Sequence, residues 1–505
     1  MDPRTSAWKN KGGDLLFIFL ILVTVCIFFW EVVLNPDGLI FSKNSDIVEQ
    51  YYPWRYLAEE SMDSGELPLW NPYNFGGEPL LANIQLGFFY PPNLLLFWLL
   101  PAHTAFGFGF ILHLFIGGAS LYLICRRMGL GSPNSYLSSV IFIFSGYIIG
   151  HTHAGHYVQI CAAAWIPMVF LLMDITMEKR SLLWGSILGM VVGVQFLAGH
   201  IQISIFSIMI MLALYGHHLW IKRKELKGKV EWTRQISAPI TGGIVAILIS
   251  LIQLVITLEY TSNSTRSGGM DYLWATSYSL PPQSIIGFLL PNLFGNPLAG
   301  NYWNLWNYWE MAVYMGIPTL VLIFLALEYR KERYVKFIMG LGIFSFIMAL
   351  GRYTPVYWVF YKIVPYFDIL RAPSRFILIT IMCGSILAGF GARSLTERLS
   401  REKMNRISKT SKVLMSITGI AVVLAIVLLV SKPAISDLAE DIIPDFVSDE
   451  SALSESLSKV SMSIDMAIMD IITMSLFISA TVGLLVWRIK RKQDSERIMA
   501  VLIVL

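Results

Sequence analysis

About a dozen apolar runs, most of them near the roughly 20 residues a helix needs to cross a hydrocarbon layer, constrain this chain more than any single motif does. They fall near residues 14–34, 103–124, 135–150, 157–175, 181–199, 201–221, 236–258, 311–328, 335–350, 375–391, 411–431 and 467–487. Only 14% of the 505 residues are charged and 55% are hydrophobic, a balance that excludes a soluble domain with a single core. In lipid the backbone must satisfy its own hydrogen bonds, so runs of this length are expected as helices. The expectation is an all-α polytopic membrane protein with about twelve spans.

Orientation follows from where Lys and Arg gather, since short basic loops stay in the cytoplasm. The clusters are Lys9 and Lys11, Arg126 and Arg127, Lys179 and Arg180, Lys222–Lys229, Arg330–Lys336, Arg393–Lys412 and Arg488–Lys492. All fall on one side if Leu86–Leu100 does not cross; if it crosses, Arg126/Arg127 and Lys179/Arg180 move outside. The non-crossing topology is preferred, with Phe88–Leu100 as a re-entrant or interfacial segment broken by Pro91 and Pro92. The N-terminus is then cytoplasmic, and a plasma-membrane location follows. The loop 431–466 falls outside and, being acidic (Asp437, Glu440, Asp441, Asp445, Asp449, Glu450), reads as a solvated connector.

Cys26, Cys125, Cys161 and Cys383 lie in or beside apolar runs without metal-type spacing, as packing residues do. The first run lacks a small-residue cleavage site and reads as an anchor. The final RIMAVLIVL is apolar but too short to span, so the chain reads as incomplete there. No composition or charge run calls for nucleic acid.

Against this background the polar stretch Asn44–Pro92 is the anomaly. Asp46, Glu49 and Gln50 share a face of a short helix, with Tyr52 following, and Pro53 suits the first turn of a second helix. There Trp54, Leu57, Ala58 and Met62 form an apolar stripe opposite Arg55, Glu59, Glu60 and Asp63, so the helix is expected to lie amphipathically on the membrane surface. The plain alternative is a solvated interfacial loop. Beyond this helix, turn residues punctuate the chain (Asn71-Pro72-Tyr73, Gly76-Gly77, Gln85, Tyr90-Pro91-Pro92), with rings between them. Rings beside polar groups suit sugars, and a carboxylate among them can act as general base on a hydroxyl.

Further candidates fall on the same side. His151, His153 and His156 could join an outer carboxylate on a divalent ion, or cap two helix ends with His156 reaching the site. No metal is required by the sequence. His200 and Gln202 are either helix-end polar groups or a site wall. Glu310 stands at the mouth of a span after an aromatic loop. Arg371 and Arg375 flank a proline and are suited to gripping a phosphate, or else snorkel to headgroups. Asn263-Ser264-Thr265 is a sequon.

Taken together, the aspartate followed by QYYPWR, then PLWNPYNFGGEPLLANIQ, FYPP, the histidine loop before AWIP, the LAGHIQ turn and RAPSRF resemble the YfhO-type bacterial membrane proteins of the GT-C glycosyltransferase superfamily. The resemblance covers the first span to about Phe376. It implies a GT-C-like bundle, with residues 1–392 as a catalytic module carrying the outer loop 35–102, and 393–505 as added C-terminal helices. It also implies a polyprenyl-phosphate sugar donor, a cell-envelope acceptor and Asp46 as catalytic base in an inverting transfer. Assigning Arg371 or Arg375 to the lipid phosphate follows from chemistry and topology, with His156, His200 and Glu310 as sugar-binding or base-orienting residues. A flippase of lipid-linked glycans and a non-catalytic envelope-assembly partner are the competing classes.

Overall fold

The structure is a computed structural model that describes residues 11–40, 45–223, 228–264, 268–397, 401–443 and 450–490. Lys9, Thr265 of the sequon, Asp445, Asp449 and the apolar C-terminus lie outside the described residues. Among those described the fold is all-helical, with one isolated bridge, Asn71 to Glu78. It divides into two compact units: 1–143, 148–275 and 360–371 form the first, and 144–147, 276–359 and 372–505 the second.

The first unit begins with α1 (Lys11–Phe28), α2 (Trp30–Leu34), α3 (Tyr52–Asp63), α4 (Pro91–Leu99) and α5 (Ala102–Arg127). It continues through α6 (Ser132–Ile143), α7 (Gly146–His153), α8 (Tyr157–Ala164), α9 (Ile166–Lys179), α10 (Leu182–Leu197), α11 (Ile201–Lys222) and α12 (Lys229–Ser262). The second holds α13 (Ile317–Ala326), α14 (Arg333–Ala349), the start of α15 (Pro355–Ile363), α16 (Ile377–Thr396), α17 (Arg401–Ile442) and α18 (Glu450–Lys490).

The apolar runs are all largely helical, while the exact count of about twelve spans is not confirmed. Among the described residues seven helices are long and apolar enough to cross a membrane: those ending at Arg127, Lys179, Lys222, Ser262, Thr396, Ile442 and Lys490. This is a multi-pass membrane protein. Three runs yield shorter apolar helices, Gly12–Phe28, Leu182–Leu197 and Ile317–Tyr329, and the run near 135–150 is split between α6 and α7. Pro91 and Pro92 do not break a helix; they occupy the first turn of α4, where a missing N–H costs nothing. At 1.5 Å per residue the nine residues of α4 rise only about 14 Å, too little to cross. The acidic stretch 431–466 is a second departure: α17 continues to Ile442 and α18 starts at Glu450, so most of the expected connector is helix, with Lys432 Nζ 2.6 Å from Asp465.

Packing in the first unit uses small residues, as helices surrounded by lipid must, since apolar side chains gain nothing from leaving it. Gly185, Gly189 and Gly193 recur every four residues along α10 and face α12. A Cβ on Gly185 would stand 2.0 Å from the Ala238 carbonyl oxygen, and one on Gly189 2.3 Å from that of Gly242. The two backbones touch there, beside Pro239.

In the second unit α17 and α18 close an apolar cluster of Ala421, Ala425, Ile471, Met474, Ile478 and Val482 with Leu290 and Ile317. The loop bearing Leu290 is stitched to α18 by Asp470, which accepts from the Asn292 backbone N–H (2.6 Å) and from its Nδ2 (2.9 Å).

Candidate active site

Asp46 stands at the start of a π-helical turn, Ile47–Tyr51, rather than on an α-helix. The wider turn changes the shared face expected of Asp46, Glu49 and Gln50. Glu49 is exposed, while Gln50 and Tyr52 are partly buried. The Asp46 N–H donates to the Ala154 carbonyl (3.1 Å), which ties this turn to the loop between α7 and α8. Gly155 makes the contact possible: it sits at φ 78, and a Cβ there would meet the Ser45 hydroxyl at 2.1 Å.

The tie brings Asp46 to His156. Nε2 of His156 lies 3.4 Å from Asp46 Oδ2, and its Nδ1 lies 2.7 Å from Nδ1 of His151. With both rings neutral, the arrangement that satisfies both contacts has His151 Nδ1–H donating to His156 and His156 Nε2–H donating to Asp46. One carboxylate oxygen is thereby oriented, while the Asp46 side chain keeps 34% of its exposure. Of the three histidines, it is the pair five apart that forms this chain; His153 is half-buried at the end of α7. No group of three or more His, Cys, Asp or Glu that could hold a metal ion occurs among the described residues.

Arg55 departs from its expected place on the polar face of α3, because the chain folds back over it. It is buried, donates to the carbonyls of Leu86 and Gly87 (2.9 Å to the latter), and its guanidinium stands 4.3 Å from the centre of the Phe97 ring. Burial lowers its pKa to about 10, so it remains charged at neutral pH. Arg55 therefore organises the loop 84–90. Tyr90 is likewise internal: its hydroxyl lies 2.6 Å from His113 Nε2 and accepts from Trp165 Nε1 at 2.6 Å. Met62, expected in the apolar stripe of α3, is exposed, whereas Trp54 and Ala58 are buried.

The same loop meets the LAGHIQ turn. Gly199, at φ 96, presses on Ile84 and Gln85, and a Cβ there would be 2.5 Å from the Ile84 carbonyl oxygen. Gln85, partly buried, follows Asn83, whose side chain caps its N–H at 3.0 Å. His200 is the N-terminal cap of α11, its Nδ1 accepting from Ile203 N at 3.4 Å, which is the helix-end role. Gln202 Nε2 donates to the Arg371 carbonyl at 2.5 Å, and the Arg371 guanidinium lies 5.4 Å from the Trp274 ring centre. A continuous set of contacts thus runs through one end of the first unit, from Asp46 by α3 and Arg55 to Gln85, the Gly199 turn, Gln202 and Arg371.

The two late arginines part company. Ala372, left-handed at φ 58, turns the chain between them. In the second unit, Arg375 reaches Glu310 Oε1 with Nε (2.9 Å) and Nη2 (2.8 Å), and Ser374 Oγ donates to Oε2 at 3.0 Å. Glu310 is 3% exposed and is explained as the counter-ion of Arg375. Sequence reasoning named His151, within GHTHAGH, as a metal ligand or helix cap and not as the partner of His156, and it missed Trp274, His113 and Trp165 as supports.

No protein-family profile matches the chain, and no curated protein matches it. Among solved structures, the crystal structure of ArnT from Cupriavidus metallidurans bound to undecaprenyl phosphate aligns over 94% of this chain and 77% of that chain, with 13% identity and a TM-score of 0.38.

Proposed function

We propose that this chain is a GT-C type membrane glycosyltransferase that moves a sugar from a polyprenyl-phosphate donor to a hydroxyl of a cell-envelope acceptor on the outer face. What carries the reading is the Asp46–His156–His151 chain at a half-open end of a helical unit whose other end is closed by ion pairs. The motif blocks QYYPWR and PLWNPYNFGGEPLLANIQ support it from sequence.

In the proposed step Asp46 takes the proton of the acceptor hydroxyl as that oxygen bonds to the anomeric carbon, and the bond from that carbon to the phosphate oxygen breaks. The electron pair leaves with the lipid phosphate, and one displacement inverts the anomeric centre. His156, 3.4 Å from Asp46 Oδ2, orients the carboxylate toward the hydroxyl. Arg371 is the cation assigned to the charge growing on the phosphate; Arg375 is not, because Glu310 already occupies its guanidinium.

Purified protein given a polyprenyl-phosphate hexose and an envelope acceptor fraction tests this. Transfer should be lost in Asp46→Asn with folding retained, and unchanged turnover would sink the assignment of the base. Movement of labelled lipid-sugar across vesicles without any transfer product would point to a flippase, and glycan binding that survives Asp46→Asn without turnover to an assembly partner.

A further inference from the structure

A groove in the second unit, lined by none of the residues assigned to the proposed reaction, has the makeup of a lipid site. It has a volume of ≈ 560 Å³ and is walled by α13 (Leu320, Val321, Phe324), α17 (Val413, Ile417) and α18 (Met474, Ile478), with Arg406, Lys409 and Thr410 at one end. The registry of α17 gives its depth. From Val413 to Ser431 that helix carries no charged residue, close to the roughly 20 residues needed to cross the hydrocarbon. Lys412 and Lys432 therefore mark the two boundaries, and Arg406 and Lys409 lie in the headgroup layer one to two turns beyond the first. From Lys409 to Ile417 the groove runs about 12 Å along the helix, passing from that layer into the acyl region.

We infer that this groove binds one anionic phospholipid of the surrounding bilayer, with its phosphate against Lys409 and Arg406 and an acyl chain lying between α13, α17 and α18. Charge complementarity selects the occupant. Lys409 has no ion-pair partner among the described residues, and Arg406 shares only the exposed Glu402, at 3.2 Å one helical turn away. Arg406 and Lys409 together therefore leave the mouth of the groove with an excess of positive charge over Glu402. Basic pockets between spanning helices on the cytoplasmic side are where acidic headgroups collect. This side is the one where positive loop charges place the cytoplasm.

Native mass spectrometry of the full chain in detergent, titrated in parallel with phosphatidylglycerol and phosphatidylcholine of equal chain length, tests the assignment. The wild-type protein should retain one phosphatidylglycerol at least fivefold better than phosphatidylcholine. Arg406→Gln with Lys409→Gln should bring the two to parity. Val413→Trp, which fills the groove from a lipid-facing position, should lose the bound lipid without any change in charge. Arg401→Gln, outside the groove, should keep the preference. Equal retention by the wild type, an unchanged preference in the double variant or in Val413→Trp, or equal loss in Arg401→Gln would each overturn the site. Displacement of phosphatidylglycerol by equimolar undecaprenyl phosphate would overturn the assigned occupant.

Discussion

The two ends of the first unit handle charge in opposite ways. At one end Asp14 accepts from Tyr122, from Arg126 at 2.6 Å and from Ser132, while Arg127 pairs with Asp174 at 2.5 Å and Glu178 at 2.7 Å. Asp14 and Arg126 are 10% and 8% exposed at the side chain. At the other end Asp46 stands 3.4 Å from the His156 imidazole and is about three times as exposed as Asp14. A carboxylate held by several donors and shut away from solvent is fixed and spent on stability; one left a third exposed can still be reached by a substrate. The residue type is the same, and exposure separates the roles.

Substitutions can break that contrast. Asp46→Asn should lower transfer by about 10³-fold, in the range a general base supplies, with thermal stability unchanged; a matching loss of stability would make Asp46 a structural charge like Asp14. Arg126→Gln should do the reverse. Stranding Asp14 in a buried site should cost about 3 kcal/mol, read as a lower melting temperature, while turnover per folded molecule stays as in wild type. Arg371→Gln should reduce transfer by about 10²-fold, whereas Arg375→Gln should act through stability, by about 2 kcal/mol, because it leaves Glu310 buried without its cation. Equal kinetic effects of the two would show that the Glu310 pair does not set them apart. The smallest effect is expected of His156→Gln, about tenfold in transfer, since an amide N–H can still orient Asp46.

The helical runs and the special character of the Asp46 block were legible because both are local patterns. What the sequence hid depends on contacts between distant residues. Arg55 looks like a surface charge on the helical wheel of α3, yet a loop beginning some thirty residues later folds over it and supplies two carbonyls. Arg375 and Glu310 are 65 residues apart and do not reveal that they neutralise each other. The acidic stretch after Ser431 looks like a connector because polarity reports contact with water, yet a helix longer than the membrane is thick carries its hydrogen bonds out into water unchanged. The spacing of Gly185, Gly189 and Gly193, small residues at an interval that lets two backbones meet, is a local signal that sequence reasoning passed over.

The stitch between Asp470 and Asn292 has a consequence in time. The two residues are 178 apart in sequence, so at roughly 5–20 residues per second of synthesis the loop that carries Asn292 waits on the order of ten to forty seconds for its partner. Until α18 has entered the membrane, the backbone N–H of Asn292 lacks the carboxylate that receives it, and the apolar cluster around Leu290 lacks one wall. Helix α18 therefore acts as the clasp that finishes an earlier part of the protein, and a ribosome stalled before residue 470 would leave that loop open to degradation.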